Sequence, residues 1–204
     1  MYPYETRKLT FQLVPKTSWY NNLRSQLPNW PAISAKIRKV GHCEICGCKT
    51  SDLDAHEVWK YDDSTYAQTL DRIIAVCKPC HNTIHIGHAN ISGKAEEAIA
   101  QYIKVNKITP MEAEKDIKDA FFVWDQRSLH NWIIDEAEIK QRVKDLTGID
   151  CDIKDTDDKF YVKVAYADKE AAKAFGAHWD GTNKMWYFKT QNKKNAWIQM
   201  KKKK

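Results

Sequence analysis

Two Cys-x2-Cys pairs, Cys43/Cys46 and Cys77/Cys80, constrain this chain more than any other feature. Each pair can present two thiolates to one ion at about 2.3 Å, and two pairs complete a closed, tetrahedral zinc site. Such an ion, contributing on the order of 10 kcal/mol or more to folding, would tie the loop before residue 43 to whatever follows residue 77. Three histidines remain after that site is filled. His56 stands between the pairs, and Cys80 runs into His81-Asn82-x2-His85. A spacing of four puts His81 and His85 on one helix face. With His56 they make a second ligand set, one that leaves coordination positions open.

The surrounding pattern supplies the scaffold. Leu53 to Trp59 suits a strand, Arg72 to Val76 its partner, and Lys60 to Ser64 a polar turn between them. A helix carrying His81 and His85 is expected just after Cys80. This Cys43–His85 stretch, together with the runs VPKTSWYNNLRS, HEVWKYDD and HIGHANISGKAEEA, resembles the HNH endonucleases. These are ββα-metal (His-Me finger) nucleases, and the likeness is to their bacterial and phage HEVW-type group. The resemblance covers roughly residues 40 to 90. It implies an α+β fold: a zinc-stabilised ββα-metal module flanked by helices, with DNA as the partner.

What the resemblance implies chemically can be assigned residue by residue. Cys43, Cys46, Cys77 and Cys80 hold the structural Zn2+. His56, His81 and His85 hold a catalytic divalent ion, Mg2+, Mn2+, Ni2+ or Zn2+. The family places a histidine general base directly after a metal ligand, and here that place is filled by Glu57. A carboxylate can accept a proton from water, but its ordinary pKa near about 4.3 makes it a weaker base than imidazole, and its charge opposes an approaching phosphate. The expected catalytic set is therefore Glu57, His56 and His81. The alternative is a catalytically inactive HNH-derived zinc module that binds nucleic acid or a protein partner. Arg72 is a candidate phosphate contact, Asn82 a candidate for orienting backbone or substrate, and Cys48 is expected to pack rather than ligate.

Outside this module the chain divides further. Residues 1–40 form a basic arm with a weak strand at 8–14, a helix at 19–27 and a helix opened by Pro31, on which Ile33, Ile37 and Val40 share a face. Lys36, Arg38 and Lys39 on that helix are candidate nucleic-acid contacts. Residues 41–92 are the metal module and 93–149 a helical extension. In the extension, helices are expected over Lys94–Val105, over Pro110–Arg127 with a Thr109/Glu112 capping box, and over Asp135–Leu146 ahead of Gly148. Ile117, Ala120, Phe121 and Trp124 are read as a core stripe. Cys151 is expected to be a buried or half-buried small side chain.

An acidic linker, 150–158, precedes a small β-α-β domain at 159–204, with a strand at Phe160–Tyr166, a helix at Asp168–Phe175 and a second strand at Lys184–Lys189. Its stretch VAYADKEAAKAFGAHWDGTNKMWYF resembles a small uncharacterised domain of plasmid and phage proteins, often found beside primase or helicase modules. Trp179, Trp186 and Tyr187 could stack on bases but are expected to form the core of so small a unit. Formal charge is +6 overall, and both ends are basic: residues 1–40 carry seven Lys or Arg against one Glu, and 183–204 carry eight Lys and no acid. The ends could grip phosphates, whereas the metal module has no local excess of positive charge. There is no apolar run of about 18 residues and MYPYETRK is no signal peptide, so the expectation is a cytoplasmic protein without a membrane partner. Oligomeric state is not legible.

Overall fold

The structure, a computed structural model, describes residues 3–18, 27–151 and 159–202. It is α+β. In chain order the elements are α1 (Trp30–Arg38), β1 (Leu53–Asp62), β2 (Ala67–Cys77), α2 (Lys78–Ile84), α3 (Ile86–Ile91), α4 (Ala95–Asn106), α5 (Pro110–Arg127) and α6 (Glu136–Thr147). The C-terminal unit follows with β3 (Phe160–Val162), α7 (Lys169–Ala174), β4 (His178–Asp180), β5 (Met185–Phe188) and α8 (Gln191–Lys202). Among the described residues no helix is long and apolar enough to cross a membrane.

The hairpin β1–β2 is antiparallel, with Leu53 opposite Cys77 at one end and Asp62 opposite Ala67 at the other. Its strands run past the expected ends, and Lys60 to Asp62 belongs to β1 rather than to a turn. Polarity there marks the hairpin's exposed end: Lys60 Nζ donates across the ladder to Asp71 Oδ1 at 2.6 Å. The turn itself is organised by the Asp62 carboxylate, which accepts from the Ser64 amide and from the Ser64 and Thr65 hydroxyls. Asp71 is an extra residue in β2, where the register shifts between Val58 and Trp59.

Strand alternation divides the module. Ala55, Glu57 and Trp59 point to one face of β1, and Asp54, His56 and Val58 to the other. The first face is covered by α1 and α6, with Ile33, Ile139 and Val143 packed against Ala55, Trp59, Leu70 and Ile73. The second face meets α2, α4, α5 and the N-terminal segment, in a core containing Leu9, Phe11, Ile74, Ile84, Tyr102 and Val123. Cys151 is buried in the first core, as expected.

The helices follow their end signals. Pro31 opens α1, the Thr109/Glu112 capping box opens α5, and Gly148 ends α6 at φ +67°. Two details differ from the sequence pattern. Val40 lies beyond α1 and is exposed. The fully buried row of α5 is Ala113, Asp116, Ala120 and Val123, with Ile117 and Phe121 of the expected stripe half-buried against the same core, so that Asp116 turns inward. Asp116 is accommodated because its Oδ2 accepts from Arg7 Nε at 2.9 Å and from the Tyr102 hydroxyl at 3.0 Å.

The expected strand at 8–14 does not form. Leu9 is held instead by the Asn106 side chain, whose Oδ1 accepts from Leu9 N–H and whose Nδ2 donates to Leu9 O, each at 2.9 Å. A side-chain amide thus takes the place of a neighbouring strand. The expected helix at 19–27 falls almost wholly outside the described residues, as does most of the 150–158 linker.

The C-terminal unit is more than β-α-β. Its sheet has three strands in the order β3-β5-β4, both pairings antiparallel. The lysine-rich end is helix α8 through Lys202, which buries Trp197 beside Phe188 and packs Met200 on the same cluster.

Candidate metal centre

Each cysteine pair sits on a turn shaped for two sulfurs. At the first, Gly47 N–H donates to Cys43 O at 2.8 Å, Cys43 N–H donates to Cys48 O at 2.9 Å, and Gly47 adopts φ +79°. This conformation favours glycine. The Cys46 amide lies 3.5 Å from Cys43 Sγ. Glu44 anchors the turn to β2: its N–H donates to Ala75 O at 2.9 Å and its carboxylate accepts from Ala75 N–H at 2.5 Å. The second pair straddles the junction of β2 and α2. Cys77 is the N-cap and Pro79 occupies the first turn, so α2 begins inside the Cys-x2-Cys segment rather than after it.

The ligand atoms of Cys43, Cys46, Cys77 and Cys80 all lie within 4.8 Å of one another. Cys43 and Cys80 are fully buried. Burial pushes the Cys77 thiol upward and the Cys80 thiol up to about 12, so these two sulfurs stay protonated unless a cation draws off their protons. Gln101 Nε2 donates to Cys80 Sγ at 3.2 Å, a second layer of support. The cluster could hold a zinc ion, and its four soft donors fit that metal. Cys48 is exposed and outside this set, so it neither ligates nor packs as expected.

His56, His81 and His85 form the second cluster, with ligand nitrogens again within 4.8 Å of one another. His56 is 1 % exposed on β1 and the other two are half-buried. Ring centroids stand 5.4, 4.9 and 4.8 Å apart with interplanar angles of 69, 74 and 75°. Three imidazoles set edge to face around one point, rather than stacked, can all turn a nitrogen toward it. His85 ends α2 while keeping helical spacing, its N–H donating to His81 O at 3.1 Å. Three imidazole nitrogen donors suit Zn2+, Ni2+ or a similar divalent ion.

Asp54 is a residue that the sequence reading missed. It shares the His56 face of β1, two positions away, and its Oδ2 lies 2.9 Å from His81 Nδ1. Lys78 Nζ donates to its other oxygen at 2.6 Å. Burial raises the Asp54 pKa, but the bond from Lys78 and the charges of His81 and Lys78 outweigh burial and hold the carboxyl below its ordinary value. An ionised Asp54 favours a proton on His81 Nδ1 and so frees Nε2 for a ligand. The Asp-x-His alternation on a strand was the available signal.

The remaining expected site residues are distributed unevenly. Glu57 is 0 % exposed and stands opposite Ile73 on the face beneath α1 and α6, away from the histidines. Consecutive residues on a strand point to opposite sides, which is why His56 and Glu57 do not converge. Arg72 is exposed and shares the His56 face, lining a groove of about 650 Å³ whose charged residues include Lys8, Lys60 and Arg127 together with Glu5 and Asp63, the last paired with Arg127. Lys36 and Arg38 on α1 and Lys39 at its C-cap are exposed, and α1 covers the other face, so they are not brought to the histidines. Asn82 is half-buried in the groove between α2 and α4.

Residues 159–199 match the family described as Domain of unknown function (DUF5710). That span is the C-terminal sheet unit, in keeping with the resemblance drawn for it. No curated protein and no solved structure matches the chain.

Proposed function

We propose that the chain is an HNH-type, metal-dependent endonuclease that hydrolyses DNA phosphodiester bonds. One observation carries the reading: a hairpin that leads directly into a helix converges His56, His81 and His85 on one point beside a four-cysteine cluster. His56, His81 and His85 would hold a divalent ion, which when bound supplies a Lewis acid for a phosphate oxygen and for charge growing on the leaving group. Asp54 holds His81 in the tautomer that presents Nε2. Lys78 balances the Asp54 charge. Arg72, on the same face and open to solvent, would meet a neighbouring phosphate. The cysteine cluster would fix the start of α2, and with it His81. The reading rests on the ligands and not on Glu57, whose carboxylate lies under α1 and α6.

That burial of Glu57 favours a second reading, a non-catalytic module that keeps the metal scaffold and binds nucleic acid or a protein partner. Incubation of the purified chain with duplex and single-stranded DNA under Mg2+, Mn2+, Ni2+ and Zn2+ separates the two. The nuclease reading expects metal-dependent cleavage that His81→Ala abolishes. Absence of cleavage with all four metals would give the field to the binding module, and cleavage indifferent to His81→Ala would reject this centre as its source.

A further inference from the structure

The C-terminal unit uses its aromatic residues in two ways. Phe188 is fully buried and meets Trp197 with ring centroids 6.3 Å apart, closing a small core with Ala172 and Ala177. Of Trp179, Trp186 and Tyr187, expected to form the core, Trp179 is 53 % exposed and the other two are half-buried, while Tyr166 is 83 % exposed. The sheet register explains the difference. Val162, Trp186 and Trp179 pair side by side across β3, β5 and β4, in a row one step along β5 from the end that α8 covers. Trp179 and Trp186 meet edge-on at 5.4 Å, and Trp186, half-buried, also touches the core.

This row opens into a cavity of about 540 Å³ whose wall combines Tyr166, Trp179 and Trp186 with Lys163, Lys169 and Lys184, and includes no acidic side chain. Lys169 Nζ lies 4.3 Å from the centre of the Tyr166 ring. Nearby carboxylates are engaged elsewhere: Asp180 accepts from Lys159 at 2.8 Å and Tyr161 at 2.6 Å, and Asp168 accepts from Lys201 at 2.6 Å. Among the described residues the wall of the groove is therefore cationic.

We propose that this groove binds single-stranded nucleic acid, with bases stacked on Trp179, Tyr166 and Trp186 and phosphates met by Lys163, Lys169 and Lys184. Flat π-faces and cations without acids are what an unstacked, anionic polymer requires. A duplex hides its base faces within the stack and would leave the exposed rings idle. An apolar peptide would have no use for three lysines. The inference is independent of the metal centre and holds whether or not the chain cleaves DNA.

The test is titration of the full chain with a fluorescent ten-residue oligothymidine, without added divalent ion, over a range of salt. Trp179→Ala, at an exposed position, should weaken binding by about five-fold or more, the usual scale for one base–aromatic stack. Lys163→Glu with Lys169→Glu should weaken it further and lower the slope of log affinity against log salt by about 1.4, two phosphate contacts' worth on a single strand. A duplex of equal length should bind without regard to Trp179. Circular dichroism of each variant verifies the fold. Failure of the wild type to bind the strand, or variants that bind it as tightly as wild type, would overturn the proposal. So would polyglutamate binding with the same dependence on Trp179, which would make the ligand an acidic peptide.

Discussion

Replacing Asp54 with alanine isolates the support of the histidine cluster from the cluster itself. The substitution removes two contacts, His81 Nδ1 at 2.9 Å and Lys78 Nζ at 2.6 Å. The Lys78 pair is half exposed on the lysine side and 27 % exposed on the aspartate side, so its loss costs about 0–1 kcal/mol of stability. At roughly 2–4 °C per kcal/mol for a chain of this size, the melting temperature should fall by no more than about 4 °C. The His81 contact acts differently, because it fixes a tautomer and a ring orientation. Losing such a partner costs about 10- to 100-fold in metal affinity, about 1.4–2.7 kcal/mol. Calorimetric titration of zinc-loaded protein with Ni2+ reads this directly, since the four-cysteine cluster is already filled. Asp54→Asn, which keeps an acceptor oxygen, should recover part of the loss. Equal Ni2+ affinity in Asp54→Ala and wild type would refute the orienting role, and a melting temperature lowered by 10 °C would show that Asp54 is structural instead.

Elemental analysis of protein purified without added metal should find about one tightly held zinc per chain, and Cys80→Ser should lose it together with the fold of α2. Asp116→Ala leaves the buried Tyr102 hydroxyl and Arg7 without their shared acceptor, which should cost about 3 kcal/mol and lower the melting temperature by roughly 6–12 °C in a thermal scan. Bonds from Lys159, Tyr161 and Asn183 depress the Asp180 pKa, so its stabilisation is complete above the unfolded value near about 3.9 and is lost as pH falls toward the folded value. Tryptophan fluorescence should report loosening of the C-terminal unit in acid, with a weaker pH dependence in Asp180→Asn. Glu57→His should destabilise by about 1–3 kcal/mol through overpacking beneath α1 and should not raise cleavage, and any gain in cleavage would show that position 57 reaches substrate.

Features written in short spacings were legible from the sequence. The two Cys-x2-Cys turns, His81 and His85 on one helical turn, the Thr109 capping box and the Gly148 stop depend on neighbours within a few residues, and each appears as expected. Features decided by distant partners were not. Asn106 displaces a strand at Leu9 from almost a hundred residues away, and Asp116 turns inward because Arg7 and Tyr102 wait for it. Strand β4 is three residues long within GAHWDG, too brief for alternation to register. In α8 the lysines masked the stripe of Trp197 and Met200, so a packed helix read as a basic tail.

The contrast between Asp54 and Glu57 shows where a motif and a fold part company. Aligning LDAHEVW to a pattern assigns roles by adjacency, and adjacency makes Glu57 the natural neighbour of His56. A strand assigns them by parity. Asp54, two positions away, reaches His81 across to α2, while Glu57 is carried through the sheet to the opposite core. The same parity brings Arg72 to the histidine side: Ile74 stands opposite His56, and Arg72, two residues earlier on β2, shares its face. Asp54 and His56 thus face α2, and Arg72 shares their side of the hairpin further along, in the groove walled by the N-terminal segment and α5. The junction Cys77-Lys78-Pro79-Cys80-His81 binds Asp54 and His56 to the cysteine cluster, because it supplies two sulfurs, the Asp54 counter-charge and a histidine within five consecutive residues. A metal held by the cysteines would set the position of all of them, so the second cluster would depend on the first without sharing a ligand with it.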